Sequence, residues 1–280
     1  MMEKKTQGQM SGESNAMASS LRVNNLWYQL PRSLSVAVSR SGVKNYPQKS
    51  DYKQGQTMVI NLNTGTSFVD WSNSYITFSF QVTTTNAVNY NFGSGSIMNI
   101  FQSIKIQSRS GTELARLDKL ALYANLQSKW KYSKDWLESF GTLQGFGQAP
   151  IAAQAGSDIL QYVIPVRLLC GFFNPSRGKL CPPQLASGLR IEILLAQAAN
   201  ALTVSGASGG LSYEVRDLVW SLNSVNLMDS VMRSLNAQSS SNGLEYVYTR
   251  TFSSETQLPN GATQSNITLN KAVSFSNCAW

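Results

Sequence analysis

Residues 76–82 read Ile-Thr-Phe-Ser-Phe-Gln-Val, and the alternation is strict. Ile76, Phe78, Phe80 and Val82 point one way; Thr77, Ser79 and Gln81 point the other. Successive side chains of a strand leave opposite faces, so a period of two predicts a half-buried β-strand. The period returns in "QTMVINLN" (Met58, Ile60, Leu62), in "IFQSIKIQSR" (Ile104, Ile106) and in "QYVIPVRLLCGFF" (Tyr162, Ile164, Val166, Leu168). It returns again in "LRIEILLAQ" (Leu189, Ile191, Ile193, Leu195) and in "LSYEVRDLVWSLNSVNL" (Leu218, Trp220, Leu222). "SGTE", "NPSRG", "CPPQLASG" and "SGASGG" supply turn chemistry between the runs. Six to eight short strands between residues 56 and 228 predict an all-β fold: an eight-stranded jelly-roll sandwich with a short helical insertion. An immunoglobulin-like sandwich fits less well, because its Cys…Trp…Cys pattern is missing.

The pattern breaks in a few places. In "KLALYANLQSKW", Leu122, Leu126 and Trp130 recur every four residues, which predicts a helix over 119–130 with Asp118 as its cap. "VDWSNS" reads as a turn before the strand at 74–83, and "TTTNAVNYNFGSGS" as a loop. A further loop is expected over about residues 141–160. Asp229 is placed to cap a second helix carrying Val231, Met232 and Leu235. Beyond it, "EYVYTRTFSS" and "QSNITLNKAVSFS" are β-like, and read as the opening strands of something larger.

Chemistry is sparse between these runs. The chain contains no His, which removes the commonest general base and the commonest metal ligand. A Ser-His-Asp or Cys-His nucleophile cannot be assembled, nor a His-based metal site. Fifteen Asp and Glu are scattered, and no pair is singled out as glycosidase carboxylates would be. The Gly-rich "GTLQGFGQAP" lacks the strand-loop-helix setting of a phosphate loop. Neither an enzymatic activity nor a cofactor is expected. Cys170, Cys181 and Cys278 include no CxxC, and imply no disulfide framework. The first thirty residues hold no continuous apolar run of the secretory kind.

Charged residues make up only 14% of the chain, against about a quarter in ordinary domains. A charge-poor surface suits a protein covered by copies of itself. The net charge is +8, and residues 1–55 carry eight basic against three acidic residues, an excess of +5. Residues 1–50 therefore read as a flexible basic arm. Lys4, Lys5, Arg22, Arg32 and Arg40 are its candidate contacts with nucleic acid or an anionic membrane.

The order of the pieces resembles a known family. A basic leader precedes "SFVDWSNSYITFSFQV" and "SIKIQSRSGTELARLDKLALYANL"; "YVIPVRLLCGFFNPSRGKLCPPQLASGLRIEILLA" and "YEVRDLVWSLNSVNL" follow. This is similar to the major capsid proteins of eukaryotic double jelly-roll DNA viruses, the adintovirus and polinton-like group in particular, over about residues 50–230. The resemblance implies a jelly roll over 51–230. Residues 231–280 would then be a linker helix followed by the first strands of a second jelly roll, or a C-terminal arm. It implies a structural role in which homotrimers of pseudo-hexagonal outline tile an icosahedral shell in the virion, assembled in the host cytoplasm or nucleus. The implied partners are neighbouring capsomers, a minor or penton capsid protein, and viral DNA or a membrane on the interior. Helix 119–130 and loop 141–160 interrupt the sandwich, and are the elements expected at subunit contacts. Two other readings fit the same residues. One is a single jelly-roll capsid protein of a small virus. The other is a lectin-like sandwich using Trp71, Trp130, Trp136 and Trp220 as stacking platforms.

Overall fold

The computed structural model describes residues 37–86, 88–92, 95–147, 150–153, 156–205, 210–241, 243–253 and 261. Its strands are β1 (Ala37–Asn45), β2 (Asp51–Lys53), β3 (Thr57–Asn61), β4 (Phe68–Thr84), β5 (Val88–Phe92) and β6 (Phe101–Gln107). They continue with β7 (Glu113–Leu117), β8 (Ile151–Ala153), β9 (Gly156–Pro165), β10 (Arg190–Leu195), β11 (Leu202–Ser205) and β12 (Ser212–Leu227). One sheet runs β1-β12-β4-β9, with β2 also pairing β12; a second runs β3-β10-β6-β7; a small third runs β11-β5-β8. Every pairing is antiparallel.

Without β2 and the third sheet, eight strands remain. Counted along the chain, they lie in the order 1-8-3-6 in one sheet and 2-7-4-5 in the other. That interleaving is the double Greek key of a jelly roll. The expected fold class is therefore observed, with its helical insertion between β7 and β8.

The alternating residues make the core. Ile76, Phe78, Phe80 and Val82 of β4 are each at most 3% exposed, as are Met58, Ile60, Ile104, Ile106, Ile191 and Ile193 of the second sheet. Phe78 of the first sheet meets Phe101 of the second edge-on, with ring centroids 5.9 Å apart.

Strand β12 changes phase halfway. Tyr213 and Val215 are buried, and then Leu218, Trp220 and Leu222. Odd positions give way to even ones because Asp217 forms a bulge: its φ is +52, and the register against β4 shifts between Arg216 and Val219. One extra residue restores the apolar set to the inner face. The Asp217 N–H, turned off the ladder, donates to Ser50 O at 3.1 Å.

Several expectations need correcting. "VDWSNS" is no turn between elements; it is a wide bulge inside the 17-residue β4. Across it, one residue of β12 faces four of β4, since Ser221 pairs with Tyr75 and Asn223 with Asp70. Asp70 folds the bulge upon itself. Its carboxylate accepts from the Ser72 N–H at 3.1 Å and from Asn73 Nδ2 at 2.8 Å, and its carbonyl accepts from Ser74 Oγ at 2.7 Å.

The expected loop at 83–96 contains β5, where Val88, Tyr90 and Phe92 are buried between exposed Asn89 and Asn91. The asparagines hid a genuine alternation. The expected loop at 141–160 is also shorter than it read, since β8 and the start of β9 lie within it. Finally, of the arm predicted over 1–50, residues 1–36 lie outside the described residues and the rest is not a free arm. Residues 37–45 are β1, paired with β12 from Ala37↔Leu227 to Asn45↔Trp220. The strand carries little apolar pattern, which explains the missed signal: Val38, Ser39, Arg40, Ser41, Gly42 and Lys44, six of its nine residues, are exposed.

Candidate assembly surface

The register places three connections at one end of the sandwich. Thr84, the last residue of β4, pairs with Gly156, the first of β9, while Thr83 pairs with Ser212, the first of β12. In the facing sheet, Phe101 at the start of β6 pairs with Leu195 at the end of β10. The β4–β6, β7–β9 and β10–β12 connections therefore leave from the same end. They hold β5, β8 and β11 respectively, and these pair with one another as the third sheet.

The β7–β9 connection also carries the helix Leu120–Lys131. The sequence predicted this helix but misjudged its face. Leu122, Leu126 and Trp130 point to solvent, with exposures of 60%, 38% and 77%. Its buried positions are Leu120, Ala124, Asn125 and Ser128. Small side chains let the helix approach the 3₁₀ turn Ile97–Ile100 closely, and a polar cluster fastens it there. Ser96 Oγ donates to Asn125 Oδ1 at 2.5 Å, and Asn125 Nδ2 donates to Asn99 Oδ1 at 2.8 Å. Ser96, Asn99 and Asn125 are all buried, where an unpaired amide costs more than a satisfied one. Asp118 does not cap the helix: the N-cap is Lys119, and Asp118 accepts from Arg116 Nε at 2.7 Å instead.

Further along the same connection, Phe140 and Leu143 of the turn Phe140–Gln144 are 65% and 51% exposed. Within residues 122–143, five large apolar side chains thus face water. Beside them, Tyr132 and Trp136 stack at 3.8 Å with planes 16° apart, and the Arg167 guanidinium lies 5.5 Å from the Tyr132 ring.

Of the candidate arm contacts, Lys4, Lys5, Arg22 and Arg32 lie outside the described residues. Arg40 stands on β1 and pairs with Asp70, Nη1 to Oδ2 at 3.1 Å. Several other acids also face cations. Glu192 pairs with Arg190 at 2.8 Å, Glu138 with Lys134 at 3.5 Å, and Glu214 with Arg216. Among the described residues, no group of three His, Cys, Asp or Glu could hold a metal ion. Cys170 and Cys181 are buried and free, and burial pushes both thiols up to about 12. Of the four tryptophans considered as sugar platforms, Trp71 and Trp220 are core, at 1% and 0% exposure, so they cannot serve; Trp136 is covered on one face by Tyr132.

No protein-family model and no curated protein matches the sequence. Solved structures similar to the chain include one from the Sputnik virophage (9% identity, TM-score 0.49), matched over 82% of this chain and 53% of the other. PBCV-1 VP54 is 12% identical with a TM-score of 0.45, over 75% of this chain and 47% of VP54. The Faustovirus major capsid protein is 11% identical with a TM-score of 0.45, over 82% and 65% respectively. The chain spans about half the length of the first two. The jelly-roll assignment rests on the strand order itself.

Proposed function

We propose that this chain is a structural subunit of a viral capsid, built to associate with copies of itself. The observation that carries this reading is the inverted helix Leu120–Lys131. Leu120, Ala124, Asn125 and Ser128 are turned inward, with Asn125 pinned by Ser96 and Asn99, while Leu122, Leu126 and Trp130 are held out to water. Holding apolar side chains exposed is unfavourable for a lone subunit, and a partner surface offsets the cost. The jelly-roll topology, the low charge and the resemblance of the sequence to double jelly-roll capsid proteins support the same reading.

In this proposal the assembly unit is a pseudo-hexameric homotrimer that tiles an icosahedral shell in the virion, formed in the host cytoplasm or nucleus. Neighbouring capsomers and a minor or penton protein are its partners. Residues 231–280 lead towards a second jelly roll or form an arm. The leader cations Lys4, Lys5, Arg22 and Arg32 contact DNA or a membrane inside the shell. The subunit performs no catalysis. Light scattering with negative-stain imaging of the purified chain at micromolar concentration tests the reading. Trimers or larger shells of hexagonal outline are expected. A stable monomer of 30.7 kDa at every concentration would overturn it.

A further inference from the structure

The segment after the last helix packs on the sandwich in a specific way. The helix Asp229–Ser241 has no buried residue. Beyond Gly243 the chain runs extended, and Leu244, Tyr246 and Tyr248 are half-buried while Glu245, Val247 and Thr249 are exposed. Period-two burial of this kind is what a single extended peptide shows in a shaped groove. The groove lies on the open side of the sandwich, between the edge strand β7 and the 3₁₀ turn Gly171–Phe173 that follows edge strand β9.

Four hydrogen bonds fix the segment in register. Tyr246 Oη donates to Phe172 O at 2.9 Å, and Tyr248 Oη donates to Leu114 O at 2.7 Å. The Ser176 N–H donates to Val247 O at 3.0 Å, and Lys179 Nζ donates to Glu245 O at 3.4 Å. Both tyrosine rings pack on Phe172, with centroids 5.5 Å and 5.0 Å away. At Gly171 the fit is closest: an added Cβ would overlap the Thr249 carbonyl oxygen, so only glycine admits the segment.

We infer that the cleft formed by Leu114, Gly171, Phe172 and Ser176 is a peptide-recognition groove. Its ligand class is an extended segment with tyrosines two residues apart, and this chain's own residues 244–251 occupy it. Two phenol O–H groups donating to two fixed carbonyls set the spacing of the tyrosines. Gly171 sets how near the peptide backbone comes. The docked segment seals the mouth of the sandwich over Phe172, and fixes where the chain beyond it departs. This inference is independent of the capsid reading.

The full-length chain provides the test. Arg250 is a trypsin site at the end of the docked segment, so the rate of cleavage there, followed by mass spectrometry, reports release from the groove. Changing Tyr246 and Tyr248 together to Phe removes two hydrogen bonds and leaves the groove intact. Cleavage after Arg250 should rise about tenfold, with the rest of the sandwich still resistant. G171A should raise it further. A fluorescein-labelled peptide of residues 243–253 should bind the full-length double-Phe variant saturably. Gly171→Ala placed in that variant should abolish the binding. Should Gly171→Ala disturb folding, seen as altered Trp emission, the double-Phe variant carries the test alone. Unchanged cleavage in the double-Phe variant, or failure of the peptide to bind it, would overturn the inference.

Discussion

Arg40 of β1 reaches across β12 to Asp70 of β4, Nη1 to Oδ2 at 3.1 Å, and so ties the edge strand to the wide bulge two strands away. Asp70 is the more enclosed partner, at 13% side-chain exposure against 54% for Arg40. The same carboxylate organises Ser72 and Asn73, so this cation completes a local network.

Arg40 is thereby separated from the other arm cations. Arg40→Gln should lower stability only slightly, by about 0.5 kcal/mol, as expected for a half-exposed ion pair. It should leave binding to nonspecific DNA and to anionic vesicles unchanged. Arg22→Gln with Arg32→Gln should weaken that binding at low salt, and the effect should shrink as salt is raised. Urea melts and salt-dependent fluorescence anisotropy measure the two effects separately. Equal loss of binding from Arg40→Gln would return this residue to the arm.

The bulge at Asp217 makes a sharper prediction. Deleting this residue slides Leu218, Trp220 and Leu222 onto the outer face of β12, and the protein should not fold. Asp217→Gly keeps the count and relieves the left-handed backbone at φ +52. It should match the parent or exceed it by up to about 1 kcal/mol. Expression of the soluble protein together with a denaturant midpoint would decide the matter, and a folded deletion variant would refute the register argument.

Changing Leu122, Leu126 and Trp130 together to Gln should do the reverse of a core substitution. These side chains are exposed, so each change should move stability by only about 0.5 kcal/mol or less. Association, however, should be lost. Sedimentation of the variant beside the parent reads both, and undiminished association would place the subunit contact elsewhere.

Alkali should unfold the chain early. Burial raises the Cys170 and Cys181 thiols from 9.0 to about 12, and lifts the Tyr162 and Tyr213 phenols well above 10.0. Each group keeps its proton longer in the folded state than in the unfolded chain. Its contribution is complete below the ordinary value, and is lost as pH rises from there towards the folded value. Stability should therefore fall from about pH 9 upward, by about 1.4 kcal/mol per pH unit for each group being titrated only in the unfolded chain. Melting curves between pH 7 and 11 would show it. A flat profile would mean that the interior admits water.

Much of this was legible in the residues. The inner faces of β3, β6, β9, β10 and the second half of β4 follow from alternation alone, because every second side chain there is apolar and buried in the core. Alternation failed where a second requirement outweighed it. In helix Leu120–Lys131 the close approach to Ile97–Ile100 selects Ala124, Asn125 and Ser128, which no hydrophobic pattern would choose. In β1 six of nine residues are exposed and the one fully buried is Asn45, so no apolar alternation marks the strand. Asn89 and Asn91 masked β5, since asparagine is a turn residue on most surfaces. The tyrosines of "EYVYTRTFSS" were visible as β-like, but their partner Phe172 is 74 residues away from Tyr246, and one-dimensional pattern cannot supply that pairing.

The third sheet bears on how such a chain can change over time. Three separate connections contribute β5, β8 and β11 to it, and β5 is bonded on both sides. Free loops can be lengthened or swapped one by one without disturbing their neighbours. Here a new β4–β6 connection would have to preserve the Val88–Phe92 ladder, or release the other two connections as well. Variation at this end should therefore come in concerted sets, with the tips of the three connections drifting freely only beyond their last shared hydrogen bond.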